Sequence, residues 1–177
     1  MDDDRIRIRP MTPADCDRVA EIRVGGWQSA YQSLVPQSYL DAMNVAQDAE
    51  RRRAYLAQTD GSVVDLVAEL AGEVVGWACH GPYRDGEVHT EDAELYAIYV
   101  DSGRYGAGVG HALLQESLRR CTAAGHARML LWVLRDNARA RRFYERAGFL
   151  ADGAEEPFEV EGVEVPEVRY ARELPVA

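Results

Sequence analysis

Lysine is absent from this 177-residue chain: all 20 basic side chains are arginine, a bias that belongs to genome composition rather than to chemistry. Cysteine is scarce. Cys16, Cys79 and Cys121 are too few and too scattered for a disulfide framework or a metal knuckle, which points to a reducing, cytoplasmic setting. Long apolar runs are missing as well. The longest, Met129 to Leu134, has six residues, where a membrane helix needs about 20, so no membrane partner is expected. Met1 to Arg9 carries three Asp and three Arg without an apolar run, and no secretory signal is expected there. Positive charge is in deficit too, with a net charge of −10. That disfavours nucleic acid as a partner, because such affinity comes largely from neutralising phosphates. An acidic surface serves solubility and equally draws cationic small molecules. No repeat, low-complexity tract or linker interrupts residues 1–177. A single domain is expected, long enough to bury roughly 70% of its unfolded surface.

What is present is a clear alternation of elements. Arg5 to Arg9 alternates Ile with Arg, as a half-buried strand does. Thr12-Pro13-Ala14-Asp15 offers an N-cap, a proline at the first helical position and an acid two residues on. A helix should follow to about Val24, end at Gly25-Gly26, and give way to a second short helix over Trp27 to Leu34 and a third over Val45 to Gln58. Ser62 to Leu70 and Glu73 to Gly81 read as strands joined by a two-residue turn at Ala71-Gly72. Glu91 to Val100 is another strand, and His89-Thr90-Glu91 at its start, a pair of metal-ligand types with no third ligand spaced for it, reads as solvated loop. Val109 to Ala124 has helical spacing and ends at Gly125. Arg128 to Leu134 suits a strand covered on both faces. From Asn137 a helix places Ala140, Phe143, Tyr144 and Ala147 on one face. Phe158 to Val160 and Val163 to Tyr170 form a last hairpin, in which Pro166 implies a bulge or an edge position.

Between the strand ending at Val100 and the helix from Val109 lies Arg104-Tyr105-Gly106-Ala107-Gly108-Val109-Gly110-His111. Alternating glycines let several backbone N–H groups aim at one point, and the helix start adds partial positive charge, an arrangement suited to a pyrophosphate. A tight turn would use the same residues. Gly110 is followed by His111-Ala112 rather than by Lys-Ser/Thr, so this is no P-loop. Glycines at alternate positions past mid-chain also miss the dinucleotide fingerprint.

These residues resemble the GNAT superfamily of N-acetyltransferases. Ile98-Tyr99-Val100 followed by Tyr105-Gly106-Ala107-Gly108-Val109-Gly110 matches its first signature, except that Tyr105 stands where Gln or Arg is usual. Asn137, Ala140, Phe143, Tyr144, Gly148 and Phe149 meet its second signature throughout. Together the two signatures span Leu95 to Phe149.

The resemblance implies an α/β GNAT fold: a mixed, mostly antiparallel sheet of about six to seven strands flanked by helices, with a splay between the fourth and fifth strands. It also implies acetyl-CoA as co-substrate and direct transfer of acetyl to a primary amine. The acceptor would be a small-molecule amine, a protein N-terminus or a lysine, and the enzyme a monomer or homodimer. A non-catalytic acyl-CoA-binding module of the same fold is the rival reading. Cofactor contacts are implied for Ile98, Tyr99, Val100, Tyr105, Gly106, Ala107, Gly108, Val109, Gly110, His111 and Asn137, the last of which also reads as a plain N-cap. Tyr144 would give a proton to the leaving thiolate, or else simply pack. Glu94 is chosen as base, with Glu91 and Asp92 as fallbacks, because alternation puts Glu94, Tyr96, Ile98 and Val100 on one strand face. A solvated strand-end carboxylate is the plain alternative. Trp27, Tyr31 and Tyr96 are candidates for the amine pocket, the first two equally for the core. Cys79 and His80, as strand neighbours, point to opposite faces and form no thiolate–imidazole pair.

Overall fold

The computed structural model describes residues 5–176, apart from the side chain of His89. The reading of the N-terminal segment thus falls partly on residues 1–4, outside the described residues. Seven strands form one sheet in the order β1-β2-β3-β4-β5-β7-β6. They are β1 (Arg7–Pro10), β2 (Val64–Leu70), β3 (Glu73–Asp85), β4 (Val88–Val100), β5 (Arg128–Leu134), β6 (Leu150–Val160) and β7 (Val163–Glu173). Every neighbouring pair is antiparallel except β4 and β5. His89-Thr90, expected in a loop, belongs to β4.

Helices cover both faces. On one lie α1 (Cys16–Ala30), α2 (Gln37–Asp41) and α3 (Val45–Gln58); on the other lie α4 (Val109–Ala123) and α5 (Ala138–Arg146). Cys16 and Val19 of α1 pack with Val67, Trp77 and Cys79 of the sheet. Across the sheet, Leu114, Leu118 and Cys121 of α4 and Tyr144 of α5 share a core with Met129, Leu131 and Tyr170. The hairpin turn is as expected. Ala71 (φ 52°) and Gly72 (φ 79°) are both left-handed, the geometry that matches strand twist.

Three local expectations give way. Gly25-Gly26 does not stop α1, which runs on to Ala30. A Cβ on Gly26 would lie 2.8 Å from the Tyr99 ring, so this glycine lets helix and sheet approach, a gain that outweighs its helix penalty of about 1 kcal/mol. Pro166 sits neither at an edge nor in a bulge: β7 lies between β5 and β6, and Pro166 faces Pro157. Its carbonyl accepts from the N–H of Arg135, one residue past the end of β5. In an antiparallel strand a residue's N and C=O point the same way, so the missing N–H falls where the ladder has ended.

The third correction bears on the site. Ala97 pairs with Cys79 and Leu95 pairs with His80, which leaves Tyr96 as an extra residue in β4. This bulge breaks the alternation. Ala93 and Leu95 share the α4–α5 face with Ile98, so Glu94 is on the opposite face from Ile98 and Val100, not beside them.

Candidate active site

β4 and β5 pair only at Ala93–Met129 and Glu94–Leu130; beyond that point they part. The Asp101 N–H donates to Val75 of β3. By alternation Tyr99 also bonds toward β3, while the backbone groups of Ile98 and Val100 face the open gap. A cavity of about 760 Å³ fills it, lined by Ile98, Tyr99 and Val100 on one side and Trp132, Val133 and Leu134 on the other.

One end of the cavity is made of backbone. Gly106 (φ 81°) and Gly108 (φ 83°) are left-handed, a conformation that admits glycine without penalty. The N–H groups of Val109, Gly110 and His111 open α4, and among the described residues no carbonyl takes them. Three free donors and a helix dipole make an anion seat. Gly76 keeps the seat close to the sheet, since a Cβ there would meet Val109 at 2.8 Å. Ala107 departs from expectation. Its N–H is taken by the Arg104 carbonyl at 3.3 Å and it does not line the cavity. Tyr105 does line it, with the Arg139 guanidinium 4.0 Å over its ring. Arg104 on the turn and Arg139, Arg142 and Arg146 on α5 add positive charge at this end. The donor set fits a diphosphate tail.

Asn137 and Tyr144 stand midway. The Asn137 side chain accepts from the Ala140 N–H at 3.2 Å, so it caps α5, and its amide N–H₂ remains free on the cavity wall. Tyr144 packs edge-on against Phe143 and Phe149 and lines the cavity, and its hydroxyl has no hydrogen bond among the described residues. Burial raises its pKa, with the nearby Tyr99 adding to the effect, so the hydroxyl stays protonated at neutral pH.

The other end is made of side chains. Trp27 and Tyr31 are edge-to-face with ring centroids 4.6 Å apart, and Phe158 lies 6.0 Å from Trp27. The Tyr31 and Tyr99 hydroxyls meet at 3.3 Å. Tyr96 contributes its ring, and its hydroxyl is held by the Pro82 carbonyl. Glu94 is not on the cavity wall. It is buried beside Arg84, whose Nε is 3.8 Å away; burial raises its pKa while the Arg84 charge opposes the rise. Among the described residues, the acidic one that lines the cavity is Glu167 on β7. No motif marks it. The only trace in the sequence is strand parity: Val165 and Glu167 lie on one face of β7, directly across from Phe158 and Glu156 of β6. Phe158 and Trp132 were missed for the same reason.

A split parallel pair, an anion seat at a helix start and a tyrosine in the gap between them define an acyltransferase of the acetyl-CoA type. The sequence profile described as "Acetyltransferase (GNAT) family" matches residues 27–149, and the chain belongs to that family. It is 29% identical over 163 residues to the uncharacterized N-acetyltransferase YuaI of Bacillus subtilis (strain 168), covering 92% of this chain and 90% of that one. Among solved structures it resembles the ribosomal-protein-alanine N-acetyltransferase of Brucella melitensis (TM-score 0.78, 24% identity, 95% and 99% of the two chains). The paia N-acetyltransferase of Thermoplasma acidophilum, solved in complex with coenzyme A, has a TM-score of 0.72 at 17% identity, covering 96% and 99%. No helix among the described residues is long and apolar enough to cross a membrane.

Proposed function

We propose that this protein moves an acetyl group from acetyl-CoA directly to a primary amine. One observation carries the reading: a single cavity joins the free N–H groups of Val109 to His111, the gap-facing backbone of Ile98 and Val100, and the unpartnered Tyr144 hydroxyl. The diphosphate would sit on the α4 start, and the pantetheine arm would add to the β4 edge as a peptide strand adds to a sheet. The Ile98 and Val100 N–H groups would face the thioester oxygen, where charge develops during attack. Asn137, through its free amide, would hold the arm.

The state of the thiols supports direct transfer. Burial raises the Cys79 pKa, helped by Asp65, and burial pushes Cys121 up to about 12. Cys16 is fully buried, and desolvation raises it too. Neutral, enclosed thiols make poor acyl carriers. The amine attacks the carbonyl carbon, the C–S bond breaks, and Tyr144 protonates the departing thiolate, whose ordinary pKa is roughly 8.5. Glu94 enters through its charge on the acceptor end rather than by contact. Three free buried cysteines accord with a cytoplasmic site of action.

The test is release of free CoA from acetyl-CoA across a panel of primary amines. Amine-dependent release is expected. A rise in thermal midpoint with acetyl-CoA but no release with any amine would make the protein a binding module instead.

A further inference from the structure

Resting on this transferase reading, we propose that Glu167 receives the acceptor's ammonium group and takes its proton, and that the acceptor carries no carboxylate beside that nitrogen. Glu167 is half-buried, lines the cavity, and has no hydrogen bond or ion pair among the described residues. Val165, on the same face of β7 two residues away, packs with Trp27, Tyr31 and Phe158, which line the same cavity. A carboxylate flanked by aromatic faces suits an organic ammonium, which gains from both the charge and the ring quadrupoles. Glu167 and Tyr144 both act electrostatically on Tyr31, so the carboxylate shares one neighbourhood with the hydroxyl that protonates the thiolate.

The charges around it select against zwitterions. Glu156 on β6 and Glu94 on β4 are the acids that act on Glu167. The nearby cations are already matched: Arg23 with Asp48 at 2.8 Å, Arg84 with Glu94 at 3.8 Å, Arg169 with Asp152 at 2.6 Å. The four arginines that line the cavity stand on the 104–106 turn and α5, at the anion seat. A carboxylate next to the reacting nitrogen would therefore face Glu167, with the charge of Glu156 behind it, and among the described residues the arginines that line the cavity stand away from it, at the anion seat. An α-amino acid is disfavoured; an aliphatic or arylalkyl amine, or a peptide N-terminus, is not.

The protons balance. Glu167 takes one from R–NH₃⁺ and later releases it to solvent. After attack, the second nitrogen proton replaces the one Tyr144 gives to sulfur, leaving amide and CoA–SH. Burial, with Glu156 and Glu94, pushes the Glu167 carboxyl up to about 7, so it is a base near neutrality.

The experiment measures kcat/KM against pH for the wild type, Glu167→Gln and Glu167→Asp. The acceptors are matched pairs: 2-phenylethylamine with phenylalanine, and isobutylamine with valine. In the wild type an acidic limb near pH 7 is expected, with each amine used at least about tenfold better than its amino acid. Glu167→Gln should lower kcat/KM by about 10²-fold and remove the limb, with acetyl-CoA affinity unchanged. Glu167→Asp should restore the limb at a reduced rate, which a purely structural role would not do. A wild-type profile in Glu167→Gln, or equal use within the pairs, overturns the proposal while leaving the transferase standing. No CoA release with any amine overturns the transferase reading, and this one with it.

Discussion

On the proposed reading, the two ends of the cavity would recognise their ligands by different means. At the anion seat the contacts are main-chain N–H groups of Val109, Gly110 and His111, set by a short run of glycines. At the acceptor end they are side chains of α1, β4, β6 and β7: Trp27, Tyr96, Phe158 and Glu167. Backbone recognition is tied to a local conformation and needs glycine at fixed spacing. Side-chain recognition needs only that distant segments arrive in register, so the residue types are free to vary with the acceptor.

The contrast is most sharply broken at Gly108. It is left-handed and caps α4, and valine strongly resists that conformation. Gly108→Val should weaken acetyl-CoA binding on the order of 10³-fold, as when two charge-assisted hydrogen bonds of about 2 kcal/mol each are displaced. Calorimetric titration checks this. Tyr144→Phe acts between the two ends. It should lower kcat by about 10²-fold and leave acetyl-CoA affinity in place, because only a hydroxyl without a partner is removed. Steady-state kinetics beside a binding titration decides that.

Neighbouring glycines give a smaller, paired effect. Gly25→Ala meets nothing within 4 Å and should stabilise the protein by about 0.5–1 kcal/mol through helix propensity. Gly26→Ala drives a methyl against Tyr99. Overpacking of about 1–3 kcal/mol should outweigh the propensity gain, with amine KM disturbed through the Tyr31–Tyr99 pair. Urea denaturation of both variants reads the opposite signs. The smallest effect belongs to Tyr105→Ala, a side chain beside a backbone site. The exposed stack with Arg139 is worth about 0.5–1 kcal/mol, so acetyl-CoA affinity should fall less than about fivefold.

The same division explains what could be read in advance. The hairpin at Ala71-Gly72, the cap at Asn137 and the loop glycines are legible because each is specified within a few residues, whereas the splay of the sheet comes only through the family resemblance. Position in the signature points Ala107 at the cofactor, yet the turn uses its N–H internally. Gly25-Gly26 reads as a stop because glycine's local penalty is visible in the sequence and the approach of Tyr99 is not. At the acceptor end Trp27, Tyr31 and Tyr96 line the cavity as expected, but two features escape local reading: a single bulge at Tyr96 turns Glu94 away from Ile98, and pairing between β6 and β7 brings in Phe158 and Glu167. Period-two reasoning has no means of locating a bulge, and one slip reverses every side chain beyond it.

The central claim, that backbone holds the cofactor while acceptor-end side chains hold the amine, is tested most directly by one paired thermal titration. Gly108→Val and Glu167→Gln are each melted against increasing acetyl-CoA, since a ligand that binds only the folded state raises the midpoint by RT ln(1 + [L]/Kd). Gly108→Val should lose nearly all of the rise, and Glu167→Gln should keep the wild-type rise although amine-dependent CoA release has collapsed. A full rise in Gly108→Val, or a lost one in Glu167→Gln, would contradict the division.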